Sequence, residues 1–113
     1  MKSLLFLFFA FGVIKLSATN YQTYFTEMSS KSQYHIGMRY KYGDREHRDL
    51  RLSFKYLHKS ALKGYVLAQY ELALMFHYGE GVKQNSALAK MWFRRASKRG
   101  DRRSQLILER FYG

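Results

Sequence analysis

Gln69-Tyr70-Glu71-Leu72-Ala73-Leu74-Met75-Phe76-His77-Tyr78-Gly79 rewrites Gln33-Tyr34-His35-Ile36-Gly37-Met38-Arg39-Tyr40-Lys41-Tyr42-Gly43 at a distance of 36 residues. The copying runs without a gap over residues 33–104: Leu52 recurs as Leu88 and Gly64 as Gly100. Apolar positions answer apolar ones, Ile36 with Leu72, Tyr40 with Phe76, Tyr56 with Trp92 and Leu57 with Phe93. A fixed period of this length marks a helical hairpin that cannot bury its apolar face alone, so copies must stack. Stacked hairpins build an extended surface rather than an enclosed catalytic pocket.

In the second copy Ala68, Leu72, Met75, Phe76 and Gly79 fall on one stripe at spacings of three and four, which predicts a helix over 66–78. Gly79 and Gly81 supply the left-handed backbone that a helix end and tight turn require. Asn85 or Ser86 then caps a second helix running to about Arg99, with Leu88, Ala89, Trp92, Phe93 and Ala96 inward and Gly100 as its stop. The first copy follows the same plan, with helices from about Lys31 to Tyr42 and onward from a cap at Asp49. Its loop Asp44-Arg45-Glu46-His47-Arg48 lacks the second glycine and is expected to close differently.

Extending the register outward places a degenerate half-repeat at 20–32, where Tyr21, Phe25 and Met28 form a stripe, and a capping half-repeat at 105–113. With repeats at 33–68 and 69–104, the expected fold is an all-α, short α-solenoid of antiparallel hairpins with about six helices, its atypical ends acting as caps. Residues 1–18 stand apart. Met1-Lys2-Ser3, the apolar run Leu4–Ile14 and Leu16-Ser17-Ala18 make the basic, apolar and cleavage regions of a secretory signal. That run is far shorter than the roughly 20 residues needed to span a bilayer. A soluble exported domain over 19–113 is the expectation. With no cysteine it forgoes disulfides and thiol chemistry, and with no proline its helices are uninterrupted.

Residues Ala68–Val82, with the turn Gly79-Glu80-Gly81-Val82, followed by Ala89-Lys90-Met91-Trp92-Phe93-Arg94-Arg95-Ala96 and the closing Gly100, resemble the Sel-1-like repeat, a tetratricopeptide-like hairpin. Residues 33–64 resemble it more loosely. The resemblance implies a right-handed superhelix that scaffolds protein assemblies, often in exported bacterial proteins, and it does not imply an enzyme. The periplasm is then the expected compartment.

Two surfaces stand out. Opposite Leu72 on the first helices lies a row of Tyr34, Met38 and Lys41, then Tyr70, Leu74 and His77, with Leu106 and Arg110 in the last half-repeat; Glu71 is the acid beside it. The row either lines a groove that takes a protein partner or packs between neighbouring helices. The second surface is basic. Beyond Ala18 there are 18 Lys and Arg against 8 acids, and Lys90, Arg94, Arg95, Lys98, Arg99, Arg102 and Arg103 concentrate the excess. That patch is either a solvated face favoured by the helix dipole or an attraction for an acidic protein or an anionic envelope surface. Nucleic acid is not expected of an exported chain.

Catalytic constellations are absent. His35, His47, His58 and His77 show no metal-ligand spacing, and His58 is read as a solvated outward residue. No metal, cofactor or carboxylate pair is indicated. The expectation is therefore an exported scaffold or adaptor. The alternatives are a basic envelope-polymer binder or cell-wall-linked hydrolase, and an immunity-type protein that masks a toxin.

Overall fold

A computed structural model describes residues 28–113. The secretory signal expected over 1–18 and residues 20–27 of the half-repeat expected over 20–32 lie outside the described residues. Five helices follow one another: α1 Ser30–Tyr42, α2 Leu50–Leu62, α3 Val66–Tyr78, α4 Ser86–Lys98 and α5 Arg102–Phe111. Each packs chiefly on its neighbours in sequence, which makes two antiparallel hairpins and a final half-hairpin, a short α-solenoid.

The repetition extends to individual hydrogen bonds. The N–H groups of Gln33, Gln69 and Gln105 donate to the carbonyls of Ser29, Tyr65 and Asp101, closing the first turn of α1, α3 and α5 alike. Asp49 N–H donates to Tyr40 O and Asn85 N–H to Phe76 O, the same closure one repeat apart. Side-chain caps hold four of the starts: Ser29, Asp49, Asn85 and Asp101 accept from backbone N–H groups two or three residues on. Helices begin at residues 30, 66 and 102, so the last half-repeat starts ahead of the expected residue 105.

The loops differ as the glycines dictate. Gly79 and Gly81 sit at φ +71° and +67°, whereas Gly43 is extended at φ −60°. The 43–49 loop instead turns through Asp44, which receives backbone bonds from His47 and Arg48.

Leu57, Ala61, Ala68, Leu72, Ala73, Met75, Phe76, Ala89, Trp92 and Phe93 form one buried cluster. The middle helix α3 contributes most to it and is buried on more than the single stripe expected of it, for Gln69, Glu71 and Ala73 are covered too. It lies between α2 and α4, so little of its circumference meets water. Gly37 lets α1 approach α2 closely, since a Cβ there would lie 2.7 Å from Leu57 Cγ.

Candidate functional site: the cleft between first helices

The row opposite Leu72 divides in two. Its polar members are consumed internally. Lys41 Nζ donates to Glu71 Oε2 at 2.7 Å, and both side chains are buried. Burial pushes the Lys41 ammonium towards the neutral form, but the hydrogen bond and charge of Glu71 outweigh it and hold the pKa above the ordinary lysine value. Glu71 is therefore not an open partner contact, which corrects its reading as a groove residue, and Lys41 reaches the groove only as a buried cation already paired. His77 is likewise engaged: its Nδ1 meets the Tyr112 hydroxyl at 2.6 Å and its ring lies against Phe93 and Phe111.

Tyr34, Met38, Tyr70 and Leu74 are half-buried against the core cluster. Tyr34 meets Tyr65 with ring centroids 5.2 Å apart, and Tyr70 meets Phe93 at 6.1 Å. The Arg103 guanidinium also lies over Tyr70, 3.9 Å from its centroid, while pairing with Asp101 at 2.9 Å. Burial raises both phenol pKa values above the usual range. Internal packing, one of the two readings left open, therefore accounts for most of this row.

Between α1 and α3 lies a cleft of about 280 Å³ lined by Lys41, Tyr42, Arg48, Leu74, Tyr78 and Glu80, smaller than one of about 910 Å³ that α1 lines with Met38, Arg39 and Tyr42. Tyr42 and Tyr78 occupy equivalent positions one repeat apart and are 69% and 65% exposed. Leu74 and the buried cation of Lys41 also line the cleft, and Arg48 and Glu80 add charge of both signs. Sequence reasoning passed over Tyr42 and Tyr78 as contacts although their identity across the period was visible. They sit in the last turn of each helix, beside the turn glycines, and read as part of the hairpin closure. Leu106 and Arg110 are exposed on α5.

The basic patch is also divided. Lys90 is half-buried, Arg94 exposed, and Arg95 lies over the Trp92 ring at 4.7 Å. Arg99 donates to Gly64 O at 3.1 Å, and Lys98 and Arg102 are exposed beside it. Arg103 does not belong with them: one residue further along the first turn of α5, it turns towards Tyr70 instead. His58 is not solvated as expected. It stacks on Phe54 at 5.6 Å and meets the edge of Trp92 at 6.2 Å, and burial lowers its pKa. Among the described residues no group of three His, Asp or Glu side chains is placed to hold a metal ion.

Repeated antiparallel hairpins with a tyrosine-lined cleft between their first helices define a short α-solenoid. A family model described as the Sel1 repeat matches residues 30–65 and again residues 66–101, and the chain belongs to the Sel1 repeat family. Repeats of this family commonly mediate protein–protein contacts, and the family is typically non-catalytic. Among solved structures, a Sel1 repeat protein from Oxalobacter formigenes is 29% identical with a TM-score of 0.70, over 73% of this chain and 62% of that one. The protein c5321, a protective antigen present in uropathogenic Escherichia coli strains and displaying an SLR fold, is 36% identical with a TM-score of 0.65. That match covers 67% of this chain and 16% of c5321, so the chain spans less than two thirds of either solved protein. No curated protein matches the chain.

Proposed function

We propose that this chain is an exported scaffold or adaptor that holds a protein partner in the cleft between α1 and α3. The observation that carries the reading is the pair Tyr42 and Tyr78, equivalent in the two repeats, well exposed, and lining a cleft with Leu74. Tyrosine suits such a contact because it offers a large rigid apolar face and a hydroxyl at low entropic cost. Membership of a family that generally binds protein partners supports it. The export half of the proposal rests on the signal-like pattern of residues 1–18, and a bacterial periplasm is the compartment proposed.

A photo-crosslinking residue installed at position 42 or 78 in cells tests the cleft. A discrete adduct at both positions, absent from the outer-helix position 51, is expected. If the same partner is captured undiminished by Tyr42→Ala/Tyr78→Ala, the cleft is not the contact. Fractionation with N-terminal sequencing tests export, with a mature start near Thr19 expected.

A further inference from the structure

The solenoid has two edges that differ in charge balance, one mixed and one cationic. At one, the loops 43–49 and 79–85 join first to second helices and carry Asp44, Glu46, Asp49 and Glu80 interspersed with Arg45, Arg48 and Lys83, so that the charges nearly cancel. At the other, the turns 63–65 and 99–101 join one repeat to the next. Asp101 is the sole acid in these turns, and it is consumed by Ser104 and Arg103.

Cations gather at that second edge. A cleft of about 360 Å³ is lined there by Leu62, Lys63, Arg95, Lys98 and Arg99, together with Ala61, Gly64 and Gln69, and no carboxylate lines it. Arg99 is fixed by its bond to Gly64 O, and Lys63 makes the same contact one repeat earlier with Met28 O. Among the described residues no acid pairs with Arg95, Lys98, Arg99 or Arg102. The helix dipole explains Lys98 at the end of α4 but runs against Arg102 in the first turn of α5. Local electrostatics alone therefore do not account for the set.

Apolar side chains share the edge. Leu62, in the last turn of α2, is 61% exposed within the cationic cleft, and Leu67, in the first turn of α3, is 39% exposed. A purely electrostatic contact with a soluble polyanion gains nothing from leucines set among cations. A lipid surface uses both, since anionic headgroups attract Lys and Arg while an apolar side chain enters the headgroup–acyl boundary.

We infer that the edge formed by Leu62, Leu67, Lys63, Arg95, Lys98, Arg99 and Arg102 docks on an anionic phospholipid surface, leaving the edge of mixed charge turned away. This is a second interaction site, separate from the tyrosine cleft. Cations flanked by single apolar side chains make a reversible interfacial contact.

Sedimentation of the purified protein with phosphatidylcholine vesicles, with and without phosphatidylglycerol, tests it. Binding only to the phosphatidylglycerol vesicles, falling with salt, is expected. Lys98→Gln/Arg102→Gln should weaken partitioning roughly fivefold per charge, about 25-fold for the pair. Leu62→Ser should weaken it about tenfold, the loss of one partly buried leucine. Arg45→Gln/Arg48→Gln removes the same net charge from the other edge and should leave binding unchanged, as should Tyr42→Ala/Tyr78→Ala. Thermal melts confirm that each variant is folded, and every variant carries the same N-terminus. Three results overturn the inference. They are absence of binding to anionic vesicles, equal weakening by the two arginine and lysine pairs, or preference for soluble polyglutamate over vesicles, which would identify an acidic protein surface instead.

Discussion

Lys41 and Glu71 form a buried ion pair, Nζ to Oε2 at 2.7 Å, that ties the first helix of one repeat to the first helix of the next. It is the one ion pair among the described residues that joins the two repeats. Removing one partner strands a charge in the interior. Glu71→Ala should therefore cost about 3 kcal/mol, whereas Lys41→Met/Glu71→Leu, which removes both, should remain near wild type. Urea unfolding of the two singles and the double completes the cycle. Because the folded pKa of Lys41 is raised, the stabilisation is fully present below the ordinary lysine value and is lost as pH rises through the folded one.

The two turn glycines at positions 81 and 100 share a positive φ but differ in surroundings. A Cβ on Gly81 would fall 2.2 Å from the Leu50 carbonyl oxygen, while one on Gly100 would meet nothing within 4 Å. Gly100→Ala should cost only the left-handed penalty, about 1–2 kcal/mol. Gly81→Ala must also push back the start of α2, and should cost about 3–4 kcal/mol. Thermal denaturation ranks them.

His58 makes stability depend on pH. Its folded pKa is lowered by burial beside Phe54 and Trp92, so the unfolded chain binds a proton first as pH falls. Stability should therefore decline as pH drops through the ordinary histidine value of 6.5 and level off below the folded one. His58→Phe should flatten this part of the profile. Urea midpoints between pH 5 and 8 measure it; an unchanged slope in the variant would remove His58 as the cause.

Tyr70 and Tyr78 lie on the same helix and should separate packing from surface. Tyr70 packs against Phe93 and under Arg103, and Tyr70→Ala should lower stability by about 2 kcal/mol. Tyr78 is mostly exposed, and Tyr78→Ala should stay within about 0.5 kcal/mol of wild type. Any loss of partner capture by Tyr78→Ala then reports contact rather than unfolding.

The hairpins were legible in the sequence because every device that makes them is local. Asp49 and Asn85 cap helices through bonds reaching two or three residues, Gly79 and Gly81 supply positive φ on their own, and apolar spacing places Leu72 and Phe93 inward. Which surface residues remain free was not legible. Lys41 and Glu71 stand 30 positions apart, and His77 and Tyr112 35 apart, so no periodicity announces their pairing. The same holds for His58, whose outward register is overridden by an aromatic neighbour from the next repeat, Trp92.

The sequence by itself determined the period, the hairpin plan and the inward stripe of Leu72 and Phe93, since these follow from steric and hydrogen-bonding rules acting within a turn or two. Only the tertiary structure decided how the repeats meet. Stacking buried the middle of the Tyr34–His77 row, left Tyr42 and Tyr78 at a cleft, turned Arg103 onto Tyr70, and gathered Leu62 with Lys98 and Arg99 at one edge. Those outcomes depend on the rotation of one repeat against the next, which packing fixes across 36 residues and no local rule encodes.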